Sequence, residues 1–311
     1  MGRVCFSAFS DLHHHPGVFY SQAEERLAAI RARAEKNQVD FVISCGDFCH
    51  NVEVSAELLK EYDNFPMPVY HVIGNHDSDR APYAETLRRF HLECGYYFFD
   101  QKGFRFVVMD TNYVLIDGVY EHYNMGNYYS HPDSCEYIPP EEVAWLKETL
   151  ESSPYPCVLF SHGSIERSDD VPNAPEIVAL INEVNRKTPG KIRLVINGHH
   201  HRDFLRIMDD VVYMELNSTT YDYLPESHDF YPAELVAANK VADHTIIYTE
   251  PVHAVITLDS DGLIDIQGMK GDYFMGITRE MTANPPGDNC GRLCTPDVLS
   301  ASFRMFYGKG Q

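Results

Sequence analysis

The sequence predicts an α/β fold, and three observations support this class. In the first half of the chain, short apolar runs alternate with segments of helical periodicity. Those runs are apolar throughout instead of alternating with polar residues, which is typical of strands buried on both faces. From residue 211 onward the pattern is mostly that of strands. At 311 residues the chain is long enough for a large core, or for one domain with an elaboration.

The predicted elements follow one another along the chain. The expected strands span 4–10, 39–44, 69–73, 104–109, 157–160, 192–196, 211–216, 245–248, 252–258 and 263–267. Helices are expected at 21–37, 54–62, 82–90, from 140 onward and at 176–187. The first helix has Leu27, Ile30 and Ala34 on one face, and Pro140 suits the first turn of the fourth. A Ser-Asp-Gly turn at 260–262 joins the last two strands.

Two segments differ from this regular pattern. The stretch 112–137 is long, polar and rich in tyrosine, and a connection of this length is typical of a functional or disordered loop. The last residues of the chain show little periodicity. We therefore expect a domain over 1–270 that carries the insertion 112–137, and a C-terminal extension over 271–311 packed on the core.

Composition and charge exclude several classes of protein. Hydrophobic residues make up 44% of the chain and charged residues 23%, as in ordinary globular proteins. The formal charge of −21 argues against a nucleic-acid partner, because such proteins need a basic surface. No apolar run reaches the roughly 18 residues that a membrane span needs, and the first residues do not resemble a signal peptide. We expect a cytoplasmic protein whose partner is not a membrane, and a homo-oligomer stays possible.

Five short clusters of metal-ligand residues each follow one of the apolar runs. They are Asp11-Leu12-His13, Gly46-Asp47, Gly74-Asn75-His76-Asp77, Ser161-His162-Gly163 and Gly198-His199-His200-His201. Ligand sites in α/β sheets form at the carboxyl ends of the strands, so clusters at five strand exits should meet. Together they supply enough oxygen and nitrogen donors for two metal ions.

The residue types indicate how such ions would be bound. Asp11 and His13 alternate in an extended segment, so both side chains can reach one ion, and His199 and His201 alternate in the same way. Asp47 has two carboxylate oxygens and can bridge two ions. Further donors come from Asn75 and His162. Carboxylate and imidazole ligands without thiolates favour manganese, iron or zinc.

The order D-x-H, G-D, G-N-H-D, H and G-H-x-H resembles that of the calcineurin-like metallophosphoesterase superfamily, over roughly residues 4–218. The resemblance implies a four-layer sandwich of two mixed β-sheets flanked by helices. It also implies two divalent or trivalent metal ions. The first would be held by Asp11, His13, Asp47 and His201. The second would be held by Asp47, Asn75, His162 and His199, with Asp47 as the bridge.

The resemblance further implies hydrolysis of a phosphate ester. Two ions about 3.5–4 Å apart lower the pKa of a bridging water, which then attacks phosphorus in line. His76 would be the histidine that is not a ligand and faces the phosphate, where it stabilises charge or protonates the leaving group. Asp77 is a catalytic candidate beside it, because Asn51, Asp77 or a backbone group would orient the ring of His76.

Some motif positions of this chain differ from those of other branches of the superfamily, and they indicate which branch it resembles. Purple acid phosphatases have a metal-binding tyrosine three residues after the bridging aspartate, where this chain has His50. Serine/threonine phosphatases have Gly-Asn-His-Glu and an aspartate at that same third position, and neither is present, which disfavours a protein phosphatase. The first metal therefore relies on His13, as in the cyclic-nucleotide phosphodiesterase and glycerophosphodiesterase branch.

Other polar and aromatic residues are candidates for substrate contact. Histidines that interleave with the ligands either face away from the metals or touch the substrate. The tyrosines of 112–137 either line a pocket for a base or sugar ring, or form a packing stripe. The candidates are His14, His15, His50, Tyr113, Tyr123, His200 and Tyr221.

These features predict a dinuclear metal-dependent hydrolase of a small phosphate ester, with a phosphodiester favoured over a monoester. Two alternatives stay open. One is a nuclease, against which the acidic charge argues. The other is a non-catalytic scaffold of the same fold, which we would expect to have lost metal ligands or the catalytic histidine.

Overall fold

Eighteen strands and seven α-helices lie within residues 2–16, 22–166, 170–224, 227–239, 241–282 and 295–307, which the computed structural model describes. The strands are β1 (Arg3–Phe9), β2 (Phe41–Ser44), β3 (Val69–His71), β4 (Tyr97–Gln101), β5 (Phe104–Val108), β6 (Tyr113–Ile116), β7 (Val119–His122), β8 (Cys157–Phe160), β9 (Ile192–Asn197), β10 (Phe204–Met208), β11 (Val211–Glu215), β12 (Tyr221–Tyr223), β13 (Thr245–Ile247), β14 (Ala254–Asp259), β15 (Leu263–Gln267), β16 (Met269–Lys270), β17 (Asp297–Val298) and β18 (Ala301–Arg304). The helices are α1 (Ala23–Lys36), α2 (Ala56–Asp63), α3 (Tyr83–Arg89), α4 (Pro140–Ser152), α5 (Ala174–Lys187), α6 (Ala233–Ala238) and α7 (Arg279–Thr282).

Two six-stranded mixed sheets form the centre of the molecule. The first has the order β18-β15-β14-β1-β2-β3, and the second has the order β10-β11-β9-β8-β5-β4. Within the first sheet β1, β2 and β3 run parallel, and within the second β5, β8, β9 and β11 do so. Strands that carry the ligand clusters therefore end at the same edge of each sheet.

The core consists of three hydrophobic layers that follow from this arrangement. Aromatic side chains from both sheets meet between them, and the ring of Phe6 lies 5.6 Å from that of Phe106. On the outer face of the first sheet, Leu27 and Ile30 of α1 pack with Leu58 of α2. On the outer face of the second, residues of α4 and α5 form the third layer. The predicted sandwich of two mixed sheets flanked by helices is confirmed.

The insertion 112–137 differs most from its sequence-based description. Strands β6 and β7 form a hairpin whose turn residues, Asp117 and Gly118, have φ values of 50° and 83°. Its side chains bury a small apolar cluster around Val114, Tyr123 and Tyr128. The stretch is therefore a folded unit with its own core instead of a loop without regular structure.

Other differences concern edges and chain ends. Strands β4 and β10, at sheet edges, and helix α6 lie where the sequence pattern predicted none of them. Residue 21, the predicted first residue of α1, lies outside the described residues. Residues 301–304 form β18 and pair with β15 in the first sheet, while the division of the chain at residue 270 stays a prediction. In the part of the chain that is described, no helix is long and apolar enough to cross a membrane.

Candidate metal centre

The segments that follow β1, β2, β3, β8 and β9 meet where the two sheets lie side by side. Hydrogen bonds between their main chains hold them together: the amide of Asp11 donates to the carbonyl oxygen of Gly46, and that of His13 to Asp47. The amide of Gly198 donates to the carbonyl oxygen of His162, which joins two of the segments of the second sheet. The five predicted clusters therefore come together at one place.

An unusual backbone conformation directs the side chains inward. Five of the seven predicted ligands have left-handed φ values, namely Asp11 (54°), His13 (50°), Asp47 (51°), His199 (73°) and His201 (53°). Such values cost non-glycine residues on the order of 1–3 kcal/mol each and concentrate at functional sites. The side chains of Asp11 and His13 do converge, but from a left-handed turn instead of the extended segment that their alternation suggested.

The glycine before one of these residues has a distinct steric role. Gly46 has a φ of 100°, and a Cβ atom on it would collide with the imidazole of His162. A glycine is therefore required where the chain turns between β2 and Asp47, since any side chain would displace His162.

Asp11, His13 and His201 form the first cluster. Nε2 of His13 lies 3.0 Å from Nε2 of His201, and Oδ1 of Asp11 lies 3.3 Å from the latter atom. All three side chains are buried. Burial lowers the pKa of His13 to about 3, which keeps the ring neutral and able to act as a ligand.

Asp47, Asn75, His162 and His199 form the second cluster. Nε2 of His162 lies 3.2 Å from Oδ2 of Asp47 and 3.1 Å from Oδ1 of Asn75. Nδ1 of His199 lies 3.1 Å from the same amide oxygen. Oδ2 of Asp47 also lies 3.8 Å from Nε2 of His13, so this carboxylate stands between the two clusters. His199 and His201 thus belong to different clusters, as in the two ligand sets that the resemblance implies.

The hydrogen bonds behind these side chains test whether metal ions fit. Nδ1 of His201 donates to the carbonyl oxygen of Tyr221 (2.7 Å), and Nδ1 of His162 donates to that of Cys45 (2.8 Å). In a neutral ring each Nε2 then carries a lone pair that faces the cluster. Oδ1 of Asp11 is buried and has no hydrogen-bond partner among the described residues. Lone pairs that face each other at such short distances repel unless a cation lies between them, so the residues fit metal ions.

His76 stands beside the clusters and is held by a carboxylate. Its Nδ1 lies 2.7 Å from Oδ2 of Asp79, and its Nε2 lies 4.0 Å from Oδ2 of Asp47. Asp79 also accepts a hydrogen bond from the hydroxyl of Tyr128 (2.7 Å). Burial lowers the pKa of His76, but the carboxylates of Asp47 and Asp79 outweigh it and raise this pKa above its ordinary value. The ring is therefore oriented and favoured in its protonated form.

Asp77 takes a different position from the one expected of a catalytic residue. Its two carboxylate oxygens accept hydrogen bonds from the backbone amides of Cys49 and Gly74, each at 2.9 Å. Burial, and then the charge of Asp47, raises the pKa of Asp77 to about 7. Among the alternatives considered from the sequence, neither Asp77 nor Asn51 orients His76, because the side chain of Asp79 does so. Asp77 instead fixes the loop that carries Asn75.

The four predicted substrate histidines lie in four different surroundings. His14 turns away from the clusters, and its Nδ1 lies 2.8 Å from the hydroxyl of Ser55. His15 lies at the rim, with its ring 5.1 Å from that of His50. His50 joins the two halves of the site, since its Nε2 lies 2.9 Å from Nδ1 of His13 and its Nδ1 lies 3.2 Å from Asp79. His200 pairs with Asp170.

The predicted substrate tyrosines, Tyr113, Tyr123 and Tyr221, are packed in the interior. Tyr123 is fully buried in the apolar cluster of the insertion, and Tyr113 packs against His122. Tyr221 lies behind the first cluster with its ring 5.0 Å from those of His13 and His201. For Tyr113 and Tyr123 the alternative of a packing role agrees with the structure. Tyr129 and Tyr223 are exposed near the site: the hydroxyl of Tyr129 lies 3.4 Å from Nδ1 of His76, and the ring of Tyr223 lies 5.1 Å from that of His201.

Sequence reasoning missed three carboxylates at this site. Asp79 is placed by a 3₁₀ turn over His76–Ser78, in which residues three apart lie on the same side. The spacing from His76 to Asp79 could have indicated it. Glu136 and Asp170 lie 3.0 Å and 3.6 Å from Nε2 of His199. No local pattern indicates either, because both come from irregular segments distant in the sequence.

Comparisons with known proteins agree with this architecture. The family model for calcineurin-like phosphoesterases matches residues 6–203, which is more than half of the chain. Among solved structures, a dimetal phosphatase from Danio rerio shares the fold with a TM-score of 0.61 at 13% identity, over 98% of this chain and 100% of that one. GAP50, the anchor in the inner membrane complex of Plasmodium, has a TM-score of 0.57 at 13% identity, over 99% and 90%.

The curated relatives match a smaller part of the chain than the solved structures do. Serine/threonine-protein phosphatase CPPED1 of Pongo abelii is 25% identical over 189 residues, and that of Mus musculus is 28% identical over 185 residues. Each match covers 52% of this chain and 54% of the relative, so the chain spans about half the length of the curated relatives it matches. On the strength of the family match over 6–203, the chain belongs to the calcineurin-like phosphoesterase family.

Proposed function

We propose that this protein is a dinuclear metal-dependent phosphatase that hydrolyses phosphomonoesters. The observation that carries the proposal is the pair of clusters that share Asp47, with His76 beside them and held by Asp79. One cluster would support only a structural or mononuclear site. Two adjoining clusters with an oriented histidine provide the groups that phosphoryl transfer to water requires.

The proposed ligand sets follow the geometry. The first ion would be held by Asp11, His13, Asp47 and His201, and the second by Asp47, Asn75, His162 and His199. Imidazole and carboxylate donors without thiolates suit manganese, iron or zinc. When bound, such ions act as Lewis acids on the phosphoryl oxygens and lower the pKa of water.

The protein's own residues would then orient and protonate the substrate. Nδ1 of His76 donates to Asp79, so a proton on Nε2 points toward the side of the site on which Asp47 lies. From there it can stabilise charge on the phosphoryl group or protonate the leaving oxygen. The hydroxyl of the exposed Tyr129 lies 3.4 Å from Nδ1 of His76 and 3.3 Å from Oδ2 of Asp79, so it belongs to the network that holds the ring.

The choice of monoester over diester reverses the ranking drawn from the sequence. The matched curated relatives carry the name of a phosphatase that acts on phosphoserine or phosphothreonine, which are monoesters. The sequence argued against a protein phosphatase on two grounds: Gly-Asn-His-Glu is absent, and no aspartate occupies the position of His50 to orient the histidine. Asp79 supplies that carboxylate from a different position. One of the two objections to a phosphoserine or phosphothreonine substrate is therefore removed, while the motif Gly74-Asn75-His76-Asp77 still differs from Gly-Asn-His-Glu.

A small phosphodiester is the second candidate. It is favoured by His13, whose Nε2 faces the first cluster as expected for the cyclic-nucleotide and glycerophosphodiesterase branch. The scaffold alternative gains from the likeness to the GAP50 anchor, but only in fold. The complete donor set and the orphaned carboxylate oxygen of Asp11 favour an enzyme over a scaffold. A nuclease is disfavoured by the formal charge of −21.

Matched substrates test this proposal. Protein purified without chelator should contain close to two metal ions and should hydrolyse p-nitrophenyl phosphate and a phosphoserine peptide faster than bis-p-nitrophenyl phosphate or cyclic nucleotides. The variant His76→Ala should lose about 10²–10⁴-fold in turnover and keep its metal, because the histidine is not a ligand. The surface variant His91→Ala is the control and should match the wild type.

Faster turnover of every diester than of either monoester would reverse the order of the two candidates. Turnover of His76→Ala equal to that of His91→Ala would remove the histidine from the reaction. A metal-loaded protein inactive on all of these esters would favour the scaffold.

A further inference from the structure

We infer that Glu136, from the insertion 112–137, is a positioning residue that fixes the ring of His199 for metal binding. The inference rests on the proposed role of His199 as a ligand. It assigns the insertion a part in the metal site, although Tyr113 and Tyr123, its predicted substrate contacts, are buried.

The two ring nitrogens of His199 face opposite surroundings. Nδ1 points into the second cluster, 3.1 Å from the amide oxygen of Asn75 and 3.3 Å from Nε2 of His162. Nε2 points outward, 3.0 Å from Oε1 of Glu136. A carboxylate at this distance accepts the Nε2 proton and thereby leaves the lone pair of the neutral ring on Nδ1. Without such an acceptor the ring can turn, or carry its proton on the nitrogen that faces the metal.

Glu136 is held in place by the insertion's own core. Its backbone amide donates to the hydroxyl of Tyr123 at 2.8 Å, and its backbone has a left-handed φ of 64°. The next residue, Tyr137, donates its amide to the carbonyl oxygen of Tyr113. Tyr113 and Tyr123, two of the three tyrosines that the sequence suggested for substrate contact, thus support the residue that contacts His199.

Asp170 is the competing acceptor, and its contacts favour Glu136. Its Oδ1 lies 3.6 Å from Nε2 of His199, which is beyond hydrogen-bond distance. Its Oδ2 already accepts the backbone amide of Ser164 and lies 3.0 Å from Nε2 of His200. Asp170 therefore serves mainly Ser164 and His200, and Glu136 is the hydrogen-bond partner of His199.

The test measures metal affinity as well as activity. Metal-free wild type, Glu136→Ala and Glu136→Gln are titrated with Mn²⁺ or Zn²⁺ in competition with a fluorescent chelator. We expect Glu136→Ala to weaken one of the two sites by about 10–100-fold and to leave the other within a few-fold. Glu136→Gln should fall between the alanine variant and the wild type, because its amide oxygen can still accept the proton. Asp133→Ala, an exposed change in the same insertion, is the matched control.

A spectroscopic readout separates positioning from general stability. In Zn²⁺-loaded protein with ¹⁵N-labelled histidine, His199 should carry its proton on Nε2 in the wild type, and that proton should exchange faster in Glu136→Ala. If the alanine variant does not fold, as judged by circular dichroism, the glutamine variant decides the question by the same two measurements.

Three results would overturn the inference. The first is unchanged affinity at both sites in the folded Glu136→Ala variant, or in Glu136→Gln if only that variant folds. The second is a His199 proton on Nδ1 in the loaded wild type. The third is binding of three ions, because Nε2 would then be a ligand itself. Failure of the wild type to bind two ions would instead contradict the proposed function, so the two outcomes are distinguishable.

Discussion

The two sides of the metal centre are held in different ways. On one side, Asp11, His13 and Asp47 are almost completely buried, and left-handed backbone conformations set the direction of their side chains. On the other side, His76 is 18% exposed, and its direction is set by a side chain, the carboxylate of Asp79. The first side is fixed by the main chain of two sheets, and the second by a network of side chains.

This difference indicates which part of the site can vary without loss of the fold. The ligands that follow strand ends are held in place by the pairing of strands within each sheet, and many residues contribute to that pairing. The network of Asp79 and Tyr128 depends on two hydrogen bonds of 2.7 Å, and Tyr128 comes from the insertion. We therefore expect metal binding to depend on the ligand side, and turnover and substrate preference to depend on the His76 side.

The largest effect is expected from Asp47→Asn. Asp47 stands between the clusters, and its Oδ1 also accepts the backbone amide of His76 at 2.8 Å. Loss of its charge should reduce metal content at both sites and lower activity by more than the roughly 10–100-fold that removal of an outer partner costs. Metal analysis and turnover check this, with the exposed Asp229→Asn as control. Full metal content in Asp47→Asn would contradict the bridging role.

Asp79→Asn should affect only the His76 side of the metal centre and lower turnover. Removal of the orienting carboxylate of a histidine in serine proteases costs about 10⁴-fold in turnover, and we expect a loss of at least about 10²-fold here. Metal content should remain that of the wild type, because Asp79 belongs to neither ligand set. Asp63→Asn is a matched control, since Asp63 pairs with His91 at the surface at a similar distance of 3.2 Å. A parallel loss of metal in Asp79→Asn would show that the two sides are not separable.

Glu142→Gln should change stability and leave the metal site intact. Glu142 of α4 is fully buried, and one of its oxygens accepts the backbone amide of Asp110, at the start of the insertion. Burial, and then the charge of Asp110, holds the pKa of Glu142 well above its ordinary value of 4.5. The folded state therefore binds this proton more tightly than the unfolded state, and the free energy of unfolding falls as the pH rises above 4.5 toward the raised pKa.

Glutamine keeps the acceptor oxygen and has no proton to lose, so this fall should be absent from the variant. One pKa unit corresponds to about 1.4 kcal/mol, and we expect the variant to be at least about 1 kcal/mol more stable at pH 8. Urea unfolding of the metal-free protein at pH 5 and pH 8 measures the difference. Glu148→Gln, an exposed change on the same helix, should show no such gain. If the two variants have equal free energies of unfolding at pH 8, the charge of Glu142 does not destabilise the folded protein.

The sequence predicted the ligand side better than the His76 side for a physical reason. Ligand clusters follow apolar runs, and the parallel pairing of β1 with β2 and of β8 with β9 brings strand exits together. The partner of His76 comes from a 3₁₀ turn, and that of His199 comes from the end of the tyrosine-rich insertion 112–137. Neither has a periodicity that fixes where a side chain points, so Asp79 and Glu136 required the structure.

The same reasoning explains the errors in the fold. Helices such as α1 and α5 have apolar faces of regular spacing, and the sequence located them within a few residues. The hairpin β6–β7 buries only a small cluster and exposes many polar residues, so its pattern resembles that of a loop. Edge strands β4 and β10 likewise alternate weakly or carry exposed side chains.

Strand β18 has a practical consequence for the design of shortened forms. It pairs with β15 at the edge of the first sheet, with Ile264 opposite Phe303. A truncation before residue 301 would uncover the amide and carbonyl groups of β15 together with nearby apolar surface. Open edges of this kind recruit strands of other molecules, so such a fragment should aggregate even though every metal ligand is present.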